Sequence, residues 1–164
     1  MKTPLPKRKS IRLSQYNYAE NGAYFITLCA RNRACVFSRV VGATSGRPLA
    51  EIQLTDIGGI VYNAIKSIPT YYPTVSVDAF VIMPNHVHIL LALQKESGRP
   101  MVAPTVSTIV QQLKGIVTKQ AGSAVWQKSF YDHVIRSEKD YRAVWEYIDQ
   151  NPARWEQDHL YVGI

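Results

Sequence analysis

The chain has 164 residues, of which 46% are hydrophobic and 19% charged. That balance suits one compact domain with its own core and excludes a disordered chain. No apolar run approaches the ~20 residues that a membrane-spanning helix needs, and the basic N-terminus lacks the apolar stretch of a secretory signal, so a cytoplasmic protein is expected.

The net charge of +7 points to an anionic partner. Lys2, Lys7, Arg8, Lys9 and Arg12 crowd an arm of about residues 1–15, with no acid among them. Such an arm either neutralises phosphates or stays solvated. Cys29 and Cys35 are too few for a disulfide framework and are not spaced as a metal clip, so they read as two reduced thiols.

Residues 23–30, Ala-Tyr-Phe-Ile-Thr-Leu-Cys-Ala, are rich in β-branched and aromatic side chains and predict a buried strand. Residues 35–41 read as its hairpin partner, followed by a loop from Gly42 to Pro48. Thr55 and Asp56 cap a helix whose Ile57, Ile60, Val61, Ala64, Ile65 and Ile68 recur at helical spacing, with Pro69 and Pro73 bracketing its end. Residues 75–83 and 86–93 are two strand-like runs around Pro84-Asn85, hence an antiparallel pair.

The segment from Gln94 to Pro104 is a loop by composition. Its Ser-Gly-Arg-Pro at 97–100 repeats that at 45–48, too short a match for an internal repeat. A second helix carries Val106, Ile109, Val110, Leu113 and Val117 on one face. Residues 129–136 read as a short strand. The last helix starts at Ser137, with Asp140 placed as in a capping box, shows Tyr141, Val144, Trp145 and Ile148 as its stripe, and stops at Pro152, leaving a tail of residues 152–164. The order predicts an α+β fold with one antiparallel sheet, helices on one face and the other face free to bind.

Two motifs carry chemistry. In Met83-Pro84-Asn85-His86-Val87-His88-Ile89-Leu90, alternation along a strand turns His86 and His88 to one face and Val87, Ile89 and Leu91 to the other. Two imidazoles so placed reach one cation, or serve as ordinary satisfied histidines. No CxxC or HExxH completes a structural zinc site. In Tyr147-Ile148-Asp149-Gln150-Asn151-Pro152, positions 147 and 151 share one side of a helix, beside the apolar stripe. A phenol there suits a nucleophile and the amide oxygen a hard cation, or the pair is simply packing. Tyr131 with His133 is a rival pairing.

Nearly the whole chain resembles the REP-associated tyrosine transposases, single-tyrosine members of the HUH superfamily that are similar to insertion-sequence transposases. Four stretches carry the likeness: Gly22 to Thr27, Met83 to His88, Trp126-Gln127 through Asp132 to Arg136, and Tyr147 to Pro152. Val87 stands as the hydrophobic residue between the two histidines. Asn151 stands where related insertion-sequence transposases carry Gln, which resembles the REP-associated branch.

The resemblance implies a ferredoxin-like, RRM-like fold. It implies that Tyr147 is the nucleophile and that His86, His88 and Asn151 hold Mg²⁺ or Mn²⁺. The substrate would be single-stranded or hairpin DNA, and the setting the nucleoid of a prokaryotic cell. A protein of this kind nicks and joins DNA through a 5′-phosphotyrosine and acts as a monomer or a homodimer. Lys7, Arg8, Lys9, Arg12, Arg31, Arg33, Lys114 and Arg136 would contact phosphates, and Phe25 or Tyr24 would stack on bases. Two other classes remain: a catalytically silent RRM-like module that only recognises hairpins, and a zinc hydrolase using both histidines. The latter lacks an acidic ligand in the motifs.

Overall fold

The computed structural model describes residues 22–42, 50–94 and 104–162. The expected basic arm, with Lys7, Arg8, Lys9 and Arg12, and both Ser-Gly-Arg-Pro loops lie outside the described residues.

Strand β1 (Gly22–Cys29) buries Tyr24, Ile26 and Leu28 completely on one side. After a 3-10 turn at Arg31–Arg33 come two short strands, β2 (Ser38–Val41) and β3 (Glu51–Leu54). Helix α1 (Asp56–Tyr71) begins where the Thr55 hydroxyl accepts the N–H of Gly58 at 3.0 Å. Pro69, expected to mark the helix end, sits inside it, and the Tyr72 N–H closes the last turn on Ile68 at 2.9 Å. Strands β4 (Val75–Ile82) and β5 (His86–Leu93) form the expected pair. Helix α2 (Val106–Ala121), strand β6 (Tyr131–Ile135) and helix α3 (Glu138–Gln150) complete the chain.

The four long-range strands form an antiparallel sheet in the order β4-β5-β1-β6. With α1 and α2 as crossovers, this is the ferredoxin-like arrangement. Val61, Ile65 and Ile68 of α1 and Ile109, Val110, Leu113 and Val117 of α2 pack on Tyr24, Ile26, Leu28, Val87, Ile89 and Leu91. Each such side chain contributes about 1.5–3 kcal/mol when fully buried.

The segment 35–41 is not the hairpin partner of β1. Both edges of β1 are occupied, by β5 and by β6, so no ladder position remains for it. Asn32 and Arg33 adopt positive φ of 56° and 54°, which turns the chain away. Strand β2 instead pairs with β3 in a separate two-stranded sheet.

Helix α3 lies on the opposite face of the main sheet. Its cap is the expected one, with the Ser137 hydroxyl accepting the N–H of Asp140 at 3.1 Å. Val144 and Ile148, with Trp155 beyond the helix, pack on Val81, Met83 and Leu90. The face read as free is therefore covered over β4 and β5. Trp145 does not join the stripe and is exposed. Near its start α3 is tied to β4, where the Tyr141 hydroxyl donates to Asp78 at 2.7 Å. Asp78 sits at a break in the β4–β5 register between Val77 and Ala79.

Candidate active site

Alternation along β5 does what the sequence suggests. Val87, Ile89 and Leu91 enter the α1/α2 core, while His86 and His88 turn to the α3 side, their ring centroids 4.6 Å apart. Both are buried, because α3 and the segment after it close over them.

Neighbouring groups orient both imidazoles. The Asn85 side-chain nitrogen donates to the Leu160 carbonyl at 2.7 Å, so its oxygen is left to accept. That oxygen lies 2.8 Å from Nδ1 of His86, which must therefore carry the proton and leave Nε2 bare. On His88, Nδ1 faces the Thr27 hydroxyl at 2.8 Å, which again directs Nε2 into the site. A histidine held at one nitrogen by an outer partner presents the other to an ion.

Asn151 follows α3 directly and is buried. Its amide nitrogen donates to Oδ2 of Asp158 at 3.2 Å. Nε2 of His86, Nε2 of His88 and Oδ1 of Asn151 are all buried without a hydrogen-bond partner. Buried acceptors without partners are costly and rare. These atoms fit a divalent cation.

Asp158 was not foreseen. A 3-10 turn at Pro152–Gln157 folds the tail back, and Oδ2 of Asp158 lies 3.6 Å from Nε2 of His86. Ligand atoms of His86, His88 and Asp158 all lie within 4.8 Å of one another. The acid that the motifs lacked for a hydrolase-like set is thus present. No spacing pattern signals it, because only the tail's path brings it to β5.

Tyr147 stands at the rim, 40% exposed. Its ring centroid is 5.3 Å from that of His88 and 5.9 Å from that of Phe25, so it lies beside the second histidine. Burial raises its pKa and the Asp158 charge raises it further, against a hydrogen bond from Asn151 that lowers it. Burial likewise lowers His86 to about 4, and His88 well below its usual value. Tyr147, Asn151, Arg154 and Asp158 line a cavity of about 370 Å³.

The remaining expected residues distribute unevenly. Arg31 and Arg33 are exposed on the turn after β1, at the end of the sheet where Cys29 pairs with His86. Arg136 follows Ile135, which pairs with Ala23 at the other end. The Lys114 ammonium donates to the carbonyls of Gln127 and Ser129. Tyr24 is buried in the helical core, whereas Phe25 is on the site face against His88. Tyr131 pairs with Thr27 and is separated from His88 by β1, and His133 is held by Asp140 at 2.9 Å. Trp126 and Trp155 pack inside. Cys29 and Cys35 are free. Among the described residues, no helix is long and apolar enough to cross a membrane.

An uncharacterised protein of Haemophilus influenzae is 38% identical over 175 residues, spanning 94% of this chain and 93% of its own. A REP-associated tyrosine transposase of Escherichia coli K12 is 27% identical over 145 residues, spanning 87% and 74%. The structure of a REP-associated tyrosine transposase bound to a REP hairpin matches with a TM-score of 0.60 at 26% identity, over 87% of this chain and 74% of that one. The chain belongs to the REP-associated tyrosine transposase family. No family model matches it. The ferredoxin-like sheet and helices are thus those of a REP-associated tyrosine transposase.

Proposed function

We propose that the protein is a metal-dependent endonuclease and strand transferase acting on single-stranded, hairpin-bearing DNA, with His86, His88 and Asn151 holding the cation and Tyr147 as nucleophile. One observation carries this reading: three buried polar atoms, Nε2 of His86, Nε2 of His88 and Oδ1 of Asn151, are left without hydrogen-bond partners beside a half-exposed phenol. The relative bound to a REP hairpin supports the same class of substrate.

A divalent cation such as Mg²⁺ or Mn²⁺, when bound, supplies Lewis-acid stabilisation of the charge that develops on a scissile phosphate. The protein's own groups do the rest. The Tyr147 hydroxyl gives up its proton as its oxygen bonds to phosphorus and the bond from phosphorus to the 3′-oxygen breaks. The departing oxygen takes up a proton to become a free 3′-OH, so protons balance over the step. The 5′-phosphate stays on Tyr147, so a second 3′-OH can reverse the step and join new strands. Asn151 donates to Asp158 and hydrogen-bonds the phenol, coupling the nucleophile's position to the acceptor cluster. Ionising the phenol beside Asp158 is unfavourable until that carboxylate's charge is compensated. Arg154, on the same cavity, together with Arg31 and Arg33, offers charge for phosphates along the strand.

The test is incubation with a labelled hairpin-bearing oligonucleotide and Mn²⁺ or Mg²⁺, followed by denaturing electrophoresis. A covalent adduct that maps to Tyr147 and disappears in Tyr147→Phe is the expected result. Cleavage without any adduct would instead favour a hydrolase built on His86, His88 and Asp158. Hairpin binding with neither cleavage nor adduct would leave a recognition module.

A further inference from the structure

Asp158 belongs to no motif of the strand or the helix, yet its side chain is only 1% exposed. A carboxylate so enclosed needs compensation. Oδ1 has it: the Leu160 N–H donates at 2.8 Å, and Nδ1 of His159 lies 3.4 Å away. Oδ2 accepts from Asn151 at 3.2 Å, and its other close neighbour is Nε2 of His86 at 3.6 Å. That nitrogen is bare, because the proton of His86 is on Nδ1, facing Asn85. An anionic oxygen and an imidazole lone pair thus face each other in a buried space, beside the partnerless Nε2 of His88 and Oδ1 of Asn151. Among the described residues, no lysine or arginine pairs with Asp158. The carboxylate oxygen and the bare imidazole nitrogen repel unless a cation joins them, and a ligand atom of His88 lies within the same 4.8 Å.

We propose that Asp158 is a fourth protein ligand of the divalent cation, contributing Oδ2 beside Nε2 of His86, Nε2 of His88 and Oδ1 of Asn151. This rests on the metal site of the proposed function and deepens it. The carboxylate supplies the site's only negative ligand, so it dominates ion retention and offsets one of the two charges. An ion that prefers six ligands then keeps two positions for substrate oxygens. The segment after α3 becomes part of the active centre rather than an appendage.

The competing role for Asp158 is merely to orient Asn151. The variant Asp158→Asn removes the charge but keeps one accepting oxygen, enough for either Asn151 or the Leu160 N–H. It is therefore also made in an Asn151→Ala background, where a role exercised only through Asn151 predicts no further loss of binding. Mn²⁺ binding to the full chain, read by the loss of the free-ion paramagnetic resonance signal, is expected to weaken at least tenfold in Asp158→Asn. Binding within twofold of the parent protein would overturn the proposal. His86→Ala, measured alongside, keeps the two claims apart. If it abolishes binding while Asp158→Asn does not, the site stands and the fourth ligand falls. If the parent protein itself takes up no Mn²⁺, both fall. Should Asp158→Asn fail to fold, a crystal structure of the parent protein with Mn²⁺, located by anomalous scattering, decides. A bond from Oδ2 of about 2.2 Å is expected, and a separation beyond about 3 Å refutes it.

Discussion

The Thr27 hydroxyl and Nδ1 of His88 lie 2.8 Å apart across the β1–β5 pairing, a contact between residues 61 positions apart in the chain. It ties the orientation of one imidazole to the central strand of the sheet. Thr27→Val removes the hydroxyl and keeps the shape. The outer partner of a metal-binding histidine typically contributes 10–100-fold in affinity, so Mn²⁺ binding should weaken within that range. Isothermal titration of the two proteins checks it, and unchanged affinity would count against His88 as a ligand.

Acid should destabilise the metal-free protein. Burial holds His86 down to about 4 and His88 well below its usual value, the neighbouring His86 adding to the latter. Both are neutral in the fold and take up protons once the chain unfolds below about pH 6.5. The unfolded state then binds more protons, so stability drops as pH falls from about 6.5 toward 4. It is insensitive to these groups above that window. Each histidine contributes a slope of up to about 1.4 kcal/mol per pH unit. Urea unfolding in EDTA at about pH 7, 6 and 5 should show the midpoint falling. A midpoint that stays level would contradict the buried, neutral imidazoles.

Two adjacent glycines of α1 should respond in opposite directions. A Cβ on Gly58 would lie 1.9 Å from the Phe37 carbonyl oxygen, whereas one on Gly59 would meet nothing within 4 Å. Gly58→Ala forces α1 away from the chain beside β2 and should cost about 3 kcal/mol. Gly59→Ala should stabilise by up to ~1 kcal/mol through helix propensity. Thermal unfolding of the two variants is sufficient. Equal melting temperatures would mean that α1 does not pack this closely.

Much of this architecture is legible in the amino-acid sequence. Period-two alternation separates His86 and His88 from Val87 and Ile89, and helical spacing places Val61, Ile65, Ile109 and Leu113 inside, because those patterns follow from backbone geometry alone. The Ser137 cap is equally local. What escapes is non-local. The pairing of β2 with β3 involves only four residues on each strand, too few for a periodic signal. The closing of the histidine face depends on where α3 docks, and Asp158 reaches the site through the turn at Pro152–Gln157. Trp145 misleads because an apolar residue at helical spacing need not face the core, and here it points outward.

Tyr147 and Asn151 ride on one helix, fastened to the sheet by Val144, Ile148 and the Tyr141–Asp78 latch. A swing of that helix would carry the phenol and the Asn151 amide away from the two imidazoles in a single movement. The two halves of the proposed site therefore share one hinge, and a substitution that loosens the latch disturbs both together.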